Sequence, residues 1–179
     1  PSWANRALDK SIASFSKEHN LWYMSMEDVE KLRQDKNDST VVEHQLTFDG
    51  VYQFSYGGNN YNGDDASKSK ERSSANGQWS PDSKHFAITR ADMREIKDLW
   101  VINSIAQPRP TLETYKYQMP GEPSPDETLY LFDMTTYQAS QIDMSAFKDQ
   151  SISIMSTPRK NSDSFNKINH RIWLGDDGT

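Results

Sequence analysis

The chain has 179 residues, room for one domain, and a formal net charge of −6 from 20 Lys and Arg against 26 Asp and Glu. Its cations are scattered rather than clustered, which argues against nucleic acid as a partner, and the absence of cysteine excludes a disulfide framework and thiolate metal sites. Hydrophobic residues make up only 34% and mean hydropathy is −0.90, yet aromatics reach 11%, a content that disordered chains lack.

The apolar residues therefore sit in short, strong runs between polar connections, the pattern of an all-β protein. In chain order, β-branched and aromatic runs bounded by Gly, Asn, Asp and Pro predict strands over 11–15, 20–26, 44–48, 85–89, 98–103, 111–117, 128–133, 139–143 and 170–174. Helical periodicity is confined to 26–33, enough for a turn or two. Leu21-Trp22-Tyr23-Met24 and Leu129-Tyr130-Leu131-Phe132 are apolar at consecutive positions, which predicts strands buried on both faces between stacked layers. Asp49-Gly50, Asn62-Gly63, Asn76-Gly77 and Asp177-Gly178 predict tight reversals with positive φ. Stretches 56–77 and 156–169 are polar and aperiodic and read as long loops. Gln107-Pro108-Arg109-Pro110 predicts the tip of a hairpin inserted between two strands of one blade. No apolar run has the length of a membrane span, and the start at Pro1 is expected of a processed or cut product.

The chain also repeats itself. Ala7-Leu8-Asp9-Lys10-Ser11-Ile12-Ala13 matches Pro81-Asp82-Ser83-Lys84-His85-Phe86-Ala87, each followed by a polar turn and another strand. In the first copy that strand is Leu21-Trp22-Tyr23-Met24; in the second, Leu99-Trp100-Val101-Ile102 and Leu129-Tyr130-Leu131-Phe132 compete. A Ser-Pro-Asp-Ser turn feeding an apolar strand is a recurrent propeller device, with Pro fixing φ and Asp and Ser bonding the local backbone. At roughly 40–45 residues per blade the chain holds at most about four, and its loops and inserted hairpin favour about two. The predicted architecture is an all-β partial β-propeller over residues 1–179, with blade-like segments at about 7–50 and 77–145 and the start of a further blade at about 168–179.

Trp79-Ser80-Pro81-Asp82-Ser83-Lys84, Asp98-Leu99-Trp100-Val101-Ile102-Asn103-Ser104 and Arg109-Pro110-Thr111-Leu112-Glu113-Thr114-Tyr115-Lys116-Tyr117-Gln118-Met119-Pro120-Gly121-Glu122 together resemble the N-terminal propeller of dipeptidyl peptidase IV-like enzymes, in the prolyl oligopeptidase group of serine peptidases. Phe15-Ser16-Lys17-Glu18-His19-Asn20-Leu21-Trp22 and Gln45-Leu46-Thr47-Phe48-Asp49-Gly50 resemble blade strands of that family, so the likeness covers most of residues 8–135. It implies a propeller capping an α/β-hydrolase domain, limiting access to its active site and, in many members, clamping the substrate's free amino terminus with two adjacent glutamates. It also implies export, hence a periplasmic, cell-surface or secreted location. This sequence departs from the layout: the hydrolase half is missing, and no adjacent Glu-Glu pair occurs. Where that pair is expected, ahead of Trp79, stands Lys70-Glu71-Arg72.

The chain's own residues offer little chemistry. The Gly-x-Ser-x-Gly elbow that presents a hydrolase serine is absent, so no catalytic residue is expected here. His19, His44, His85 and His170 lack metal-ligand spacing, and Asp64-Asp65 and Asp176-Asp177 lack the alternation of a calcium loop, so neither a metal nor another cofactor is expected. Asn37-Asp38-Ser39 fits a glycosylation sequon that matters only in a eukaryotic secretory setting. Glu71, in a polar loop, and Glu113, on the hairpin, are the candidates for contact with peptide substrate; Glu113 could equally pair with a nearby Lys or Arg. Trp22 and Trp100 read as core. The expected partners are a hydrolase domain of the same parent chain, peptide substrate and a second copy of the segment, since uncovered blade edges invite pairing. The competing expectation is a free-standing propeller-type interaction module of the cell envelope; a glycan-binding β-domain is disfavoured because the aromatics lie in strands.

Overall fold

The computed structural model describes residues 1–57, 69–147, 152–155 and 172–173. Strands β1 (Asn5–Arg6), β2 (Ile12–Lys17), β3 (Asn20–Ser25) and β4 (His44–Gln45) form one antiparallel sheet in the order β1-β2-β3-β4. A second sheet starts with β5 (Gln78–Trp79) and β6 (His85–Asp92), is interrupted by the ribbon β7 (Asp98–Asn103) and β8 (Thr111–Lys116), and resumes with β9 (Asp126–Asp133) and β10 (Gln138–Ile142). Its order is β10-β9-β6-β5, so the ribbon is an insertion between neighbours β6 and β9, as the hairpin reading required. Short strands β11 (Ile154–Met155) and β12 (Ile172–Trp173) pair in parallel. The loop expected at 156–169 and most of the strand expected at 170–174 lie outside the described residues, as do Asn62-Gly63 and Asp177-Gly178.

Both consecutive apolar runs are buried from two sides. Leu21 joins Trp79, Phe86, Ile88 and Phe132 in the core between the sheets, whereas Met24 faces the other way with Ala13 and Phe15. That outer face is covered by α1 (Met26–Gln34), through Val29 and Leu32, and by the half-buried Trp3. Ser25 starts the helix: its hydroxyl accepts from the Asp28 N–H, which satisfies one of the first-turn donors. Glu27 and Asp28 at the first turn and Lys31 and Arg33 at the last complement the helix dipole. On the far side of the second sheet, Ala87 and Leu129 pack with Leu131, Met144, Ile152 and Ile154.

The repeat is real, but its register is one residue from the expected one. The Ala7 N–H donates to the Ile12 carbonyl as the Ser80 N–H does to His85, and Lys10 (φ 60°) and Ser83 (φ 61°) hold the same left-handed position. Asp9 and Asp82 are then the equivalent residues, each accepting from the N–H two positions on. The hydrogen-bonded turn, not the apolar residues after it, fixes the alignment. The strand completing the second copy is Leu129-Tyr130-Leu131-Phe132, which pairs with β6 as β3 pairs with β2.

Three further expectations are corrected. Gly50 and Gly77 do not have positive φ; they are required because a Cβ would collide with the His19 carbonyl at the first and with the Phe86 ring and Ala87 carbonyl at the second. The left-handed reversal falls instead on Glu18 (φ 52°) and His19 (φ 65°), a two-residue hairpin loop between β2 and β3 without glycine. The strand expected over 44–48 ends at Gln45, because the Thr47 hydroxyl turns inward to accept from the Leu21 N–H and Phe48 swings out to 80% exposure. Trp100 is not core. It is 70% exposed on a ribbon with nothing packed on that face among the described residues.

Candidate functional site

Antiparallel alternation sorts the connections into two ends. The β1–β2, β5–β6 and β9–β10 turns lie at one end, where the Asp9 N–H donates to the Ser83 hydroxyl and the Tyr23 ring stacks between His44 and Tyr137. Burial, with the neighbouring Tyr137 phenol, pushes the Tyr23 phenol up to about 12. At the opposite end lie the β2–β3 turn, the connection from β4 to β5, and the β7–β8 ribbon, and both candidate glutamates belong to this end.

Glu71 is exposed on a segment laid along the end of β2. Ser73 and Ser16 exchange two backbone hydrogen bonds of 2.8 and 2.9 Å, and the Glu18 N–H donates to the Ser69 carbonyl at 2.6 Å. Its neighbour Arg72 shares Glu43 with Lys17, both at 2.5 Å, and lies over the Trp3 ring. Glu71 thus projects from an anchored strip. Glu113 sits in mid-ribbon opposite Val101 and forms no ion pair among the described residues. The Tyr115 hydroxyl and then the Asn103 amide, at 2.9 Å, donate to it and hold its carboxyl below the usual range. The two glutamates share an end of the blades without a bond between them among the described residues.

The polar centre of this end is a residue the sequence reading passed over. Arg90, in β6, is 1% exposed. Its Nη1 donates to Asp49 Oδ2 at 2.6 Å and to the Tyr56 hydroxyl at 3.1 Å, and its Nη2 to the Asp49 and Phe54 carbonyls at 2.8 and 3.0 Å. The guanidinium lies 3.4 Å from the Phe54 ring centroid and 4.2 Å from that of Tyr56. Desolvation works to raise the Asp49 carboxyl, but the Arg90 hydrogen bond and charge outweigh it and hold it below the carboxylate range. Burial pushes the Tyr56 phenol upward. The available signal was a lone Arg two positions past the apolar run Phe86-Ala87-Ile88, inside a strand buried on both faces.

None of these groups forms a nucleophile–base arrangement. Of the histidines, His19 sits edge-on to Tyr52, His44 stacks on Tyr23, and the Nδ1 of His85 is buried without a hydrogen-bond partner among the described residues; His170 lies outside them. Among the described residues, no three His, Asp or Glu side chains gather as a metal site.

Residues 3–158 match the family described as the dipeptidyl peptidase IV (DPP IV) N-terminal region. The chain belongs to that family. Among solved structures, the Porphyromonas gingivalis dipeptidyl peptidase 4 is similar at TM-score 0.55 and 16% identity, over 79% of this chain and 18% of its own. A putative dipeptidyl aminopeptidase IV from Bacteroides ovatus is similar at TM-score 0.35 and 12% identity, over 76% of this chain and 21% of its own. No curated protein sequence matches. The first of these likenesses shows the fold, so the two four-stranded sheets of this DPP IV N-terminal-region chain are propeller blades. The chain spans about a fifth of the length of those solved chains.

Proposed function

We propose that residues 1–179 form a non-catalytic segment of one propeller domain in a dipeptidyl peptidase IV-like serine peptidase. The segment controls access to, and positions peptide substrate for, an α/β-hydrolase domain elsewhere in the same parent chain. Family membership over residues 3–158 carries this reading. In the whole protein the reaction is acyl transfer through a serine activated by histidine, and this segment supplies none of the reacting groups. Its contribution is shape and charge at the blade end that carries Glu71 and Glu113, the residues assigned to face peptide substrate. No adjacent glutamate pair occurs in residues 1–179, so Glu71 and Glu113 are the carboxylates proposed to contact peptide substrate at this end. Residence in the periplasm or at the cell surface belongs to the same proposal and rests on the resemblance alone.

Self-association belongs to it too. Trp100, Ile102 and Leu112 are 65–71% exposed on one face of the β7–β8 ribbon, and a free ribbon edge offers unpaired backbone groups to a second copy. The same exposed ribbon favours a second reading, a free-standing interaction module of the cell envelope. A hydrolase sequence in the same reading frame after Thr179 separates the first from the second.

The test is a peptidase assay on the full-length protein with Xaa-Pro and Xaa-Ala chromogenic dipeptides, with this segment run beside it. Turnover by the full-length protein alone supports an access-controlling segment. Activity on blocked peptides only overturns free-amine recognition, and no peptidase activity at all overturns the reading.

A further inference from the structure

We infer that Arg90 is a positioning residue: its buried guanidinium clamps the 49–56 connection to the root of the β7–β8 ribbon and gives the end of the blades one fixed shape. All four of its terminal N–H groups are spent on that connection, on Asp49, Phe54 and Tyr56, and none on the sheet in which Arg90 itself resides. The clamp continues outward. Arg94 lies over the same Phe54 ring at 4.6 Å, is held in a two-point pair by Asp92, and the Met93 N–H donates to the Gln53 carbonyl at 2.8 Å. A ladder of Tyr56, Arg90, Phe54 and Arg94 therefore joins the connection to the stretch from which the ribbon departs.

Stability alone does not account for a cation there. Replacing a whole buried ion pair with apolar groups of similar volume is often neutral or stabilising, so the role assigned to Arg90 is the conformation it specifies. This conformation needs specifying. Gln53 is held at φ 64°, and Gly50 is packed where no Cβ fits against the His19 carbonyl. The left-handed backbone of Gln53 persists only where its surroundings over-determine it. The connection then presents the Asp49 carboxylate, 62% exposed in spite of its Arg90 pair, with Phe48 and Val51 beside it. What this surface touches, substrate or hydrolase domain, rests on the function proposed above; the clamp itself does not.

The test compares Arg90→Met, Arg90→Lys and Phe54→Leu in the full-length protein, by hydrogen exchange of peptides over 49–57 and 93–103 and by kcat and KM on a cleavable dipeptide. Arg90→Met is expected to keep both sheets protected while exchange over 49–57 and 93–97 rises about tenfold or more. KM is expected to rise severalfold with kcat within about twofold, and Arg90→Lys, which keeps the charge but not the fork, to recover only part of the loss. Wild-type exchange and KM in Arg90→Met overturn the inference, as does exchange raised evenly through both sheets. If Arg90→Met does not fold, Phe54→Leu decides: increased exchange confined to 49–57 and 93–97 upholds the clamp, and wild-type exchange there overturns it. A full-length protein without peptidase activity would remove the proposed function while the exchange result still judged the clamp.

Discussion

The backbone N–H of Asp9 donates to the hydroxyl of Ser83 at 2.9 Å, so the tight turn of one blade is tied to the tight turn of the next. Ser83 is 7% exposed and is placed for this by its left-handed backbone, φ 61°. Ser83→Ala removes the side-chain acceptor of that N–H and is expected to cost about 1 kcal/mol, read as a lower urea midpoint at unchanged m-value.

Trp100 and Phe132 are both aromatic and both mid-strand, but they differ in every consequence. Trp100→Ser is expected to leave stability within about 0.5 kcal/mol, as exposed positions do. Phe132→Ala, at 1% exposure between the sheets, is expected to cost about 3–5 kcal/mol. Paired thermal melts check this, and in the isolated segment, diluted until it is monomeric, acrylamide should reach Trp100 and leave Trp79 quiet.

Acid should unfold the segment through its turns. The Thr135 hydroxyl and N–H hold Asp133 down to about 2 from an ordinary 3.8, and the Ser80 hydroxyl acts on Asp82 in the same direction. A carboxyl with a lowered folded-state value stabilises the fold above its ordinary value, and that stabilisation is lost as pH falls through the folded one. Melting temperature should therefore be nearly flat from about pH 7 to 5 and fall between about pH 4 and 2. Asp133→Asn, with no carboxyl to protonate, should show a shallower fall than wild type.

The cap on α1 gives a further check. Ser25→Ala leaves the Asp28 N–H without its acceptor at 3.0 Å and is expected to destabilise by about 0.5–2 kcal/mol, with Ser25→Asp close to wild type.

Much of this fold was legible because its signals are local. The apolar runs at Leu21–Met24 and Leu129–Phe132, the Ser-Pro-Asp-Ser turn and the Pro-rich hairpin tip each carry their own chemistry. What failed was set by distance in sequence. A run such as Leu99-Trp100-Val101-Ile102 looks like core, but whether anything covers it depends on an insertion that lifts it off the sheet. Gly50 and Gly77 read as turn glycines, yet it is the approach of His19, distant in the chain, at the first and of Phe86 across the β5–β6 hairpin at the second that excludes a side chain. The candidate site was least legible. Glu71 and Glu113 stand as proposals from their loop and hairpin positions, whereas the contacts of Arg90 form only when the 49–56 connection folds over it.

The claim that this is a propeller segment serving a catalytic domain outside it is tested most directly by labelling the full-length protein with a fluorophosphonate and mapping the modified residue by mass spectrometry. One labelled serine outside residues 1–179, with the isolated segment unlabelled, is the predicted result. A labelled serine within these residues, or a full-length protein that takes no label and cleaves no peptide, would contradict it.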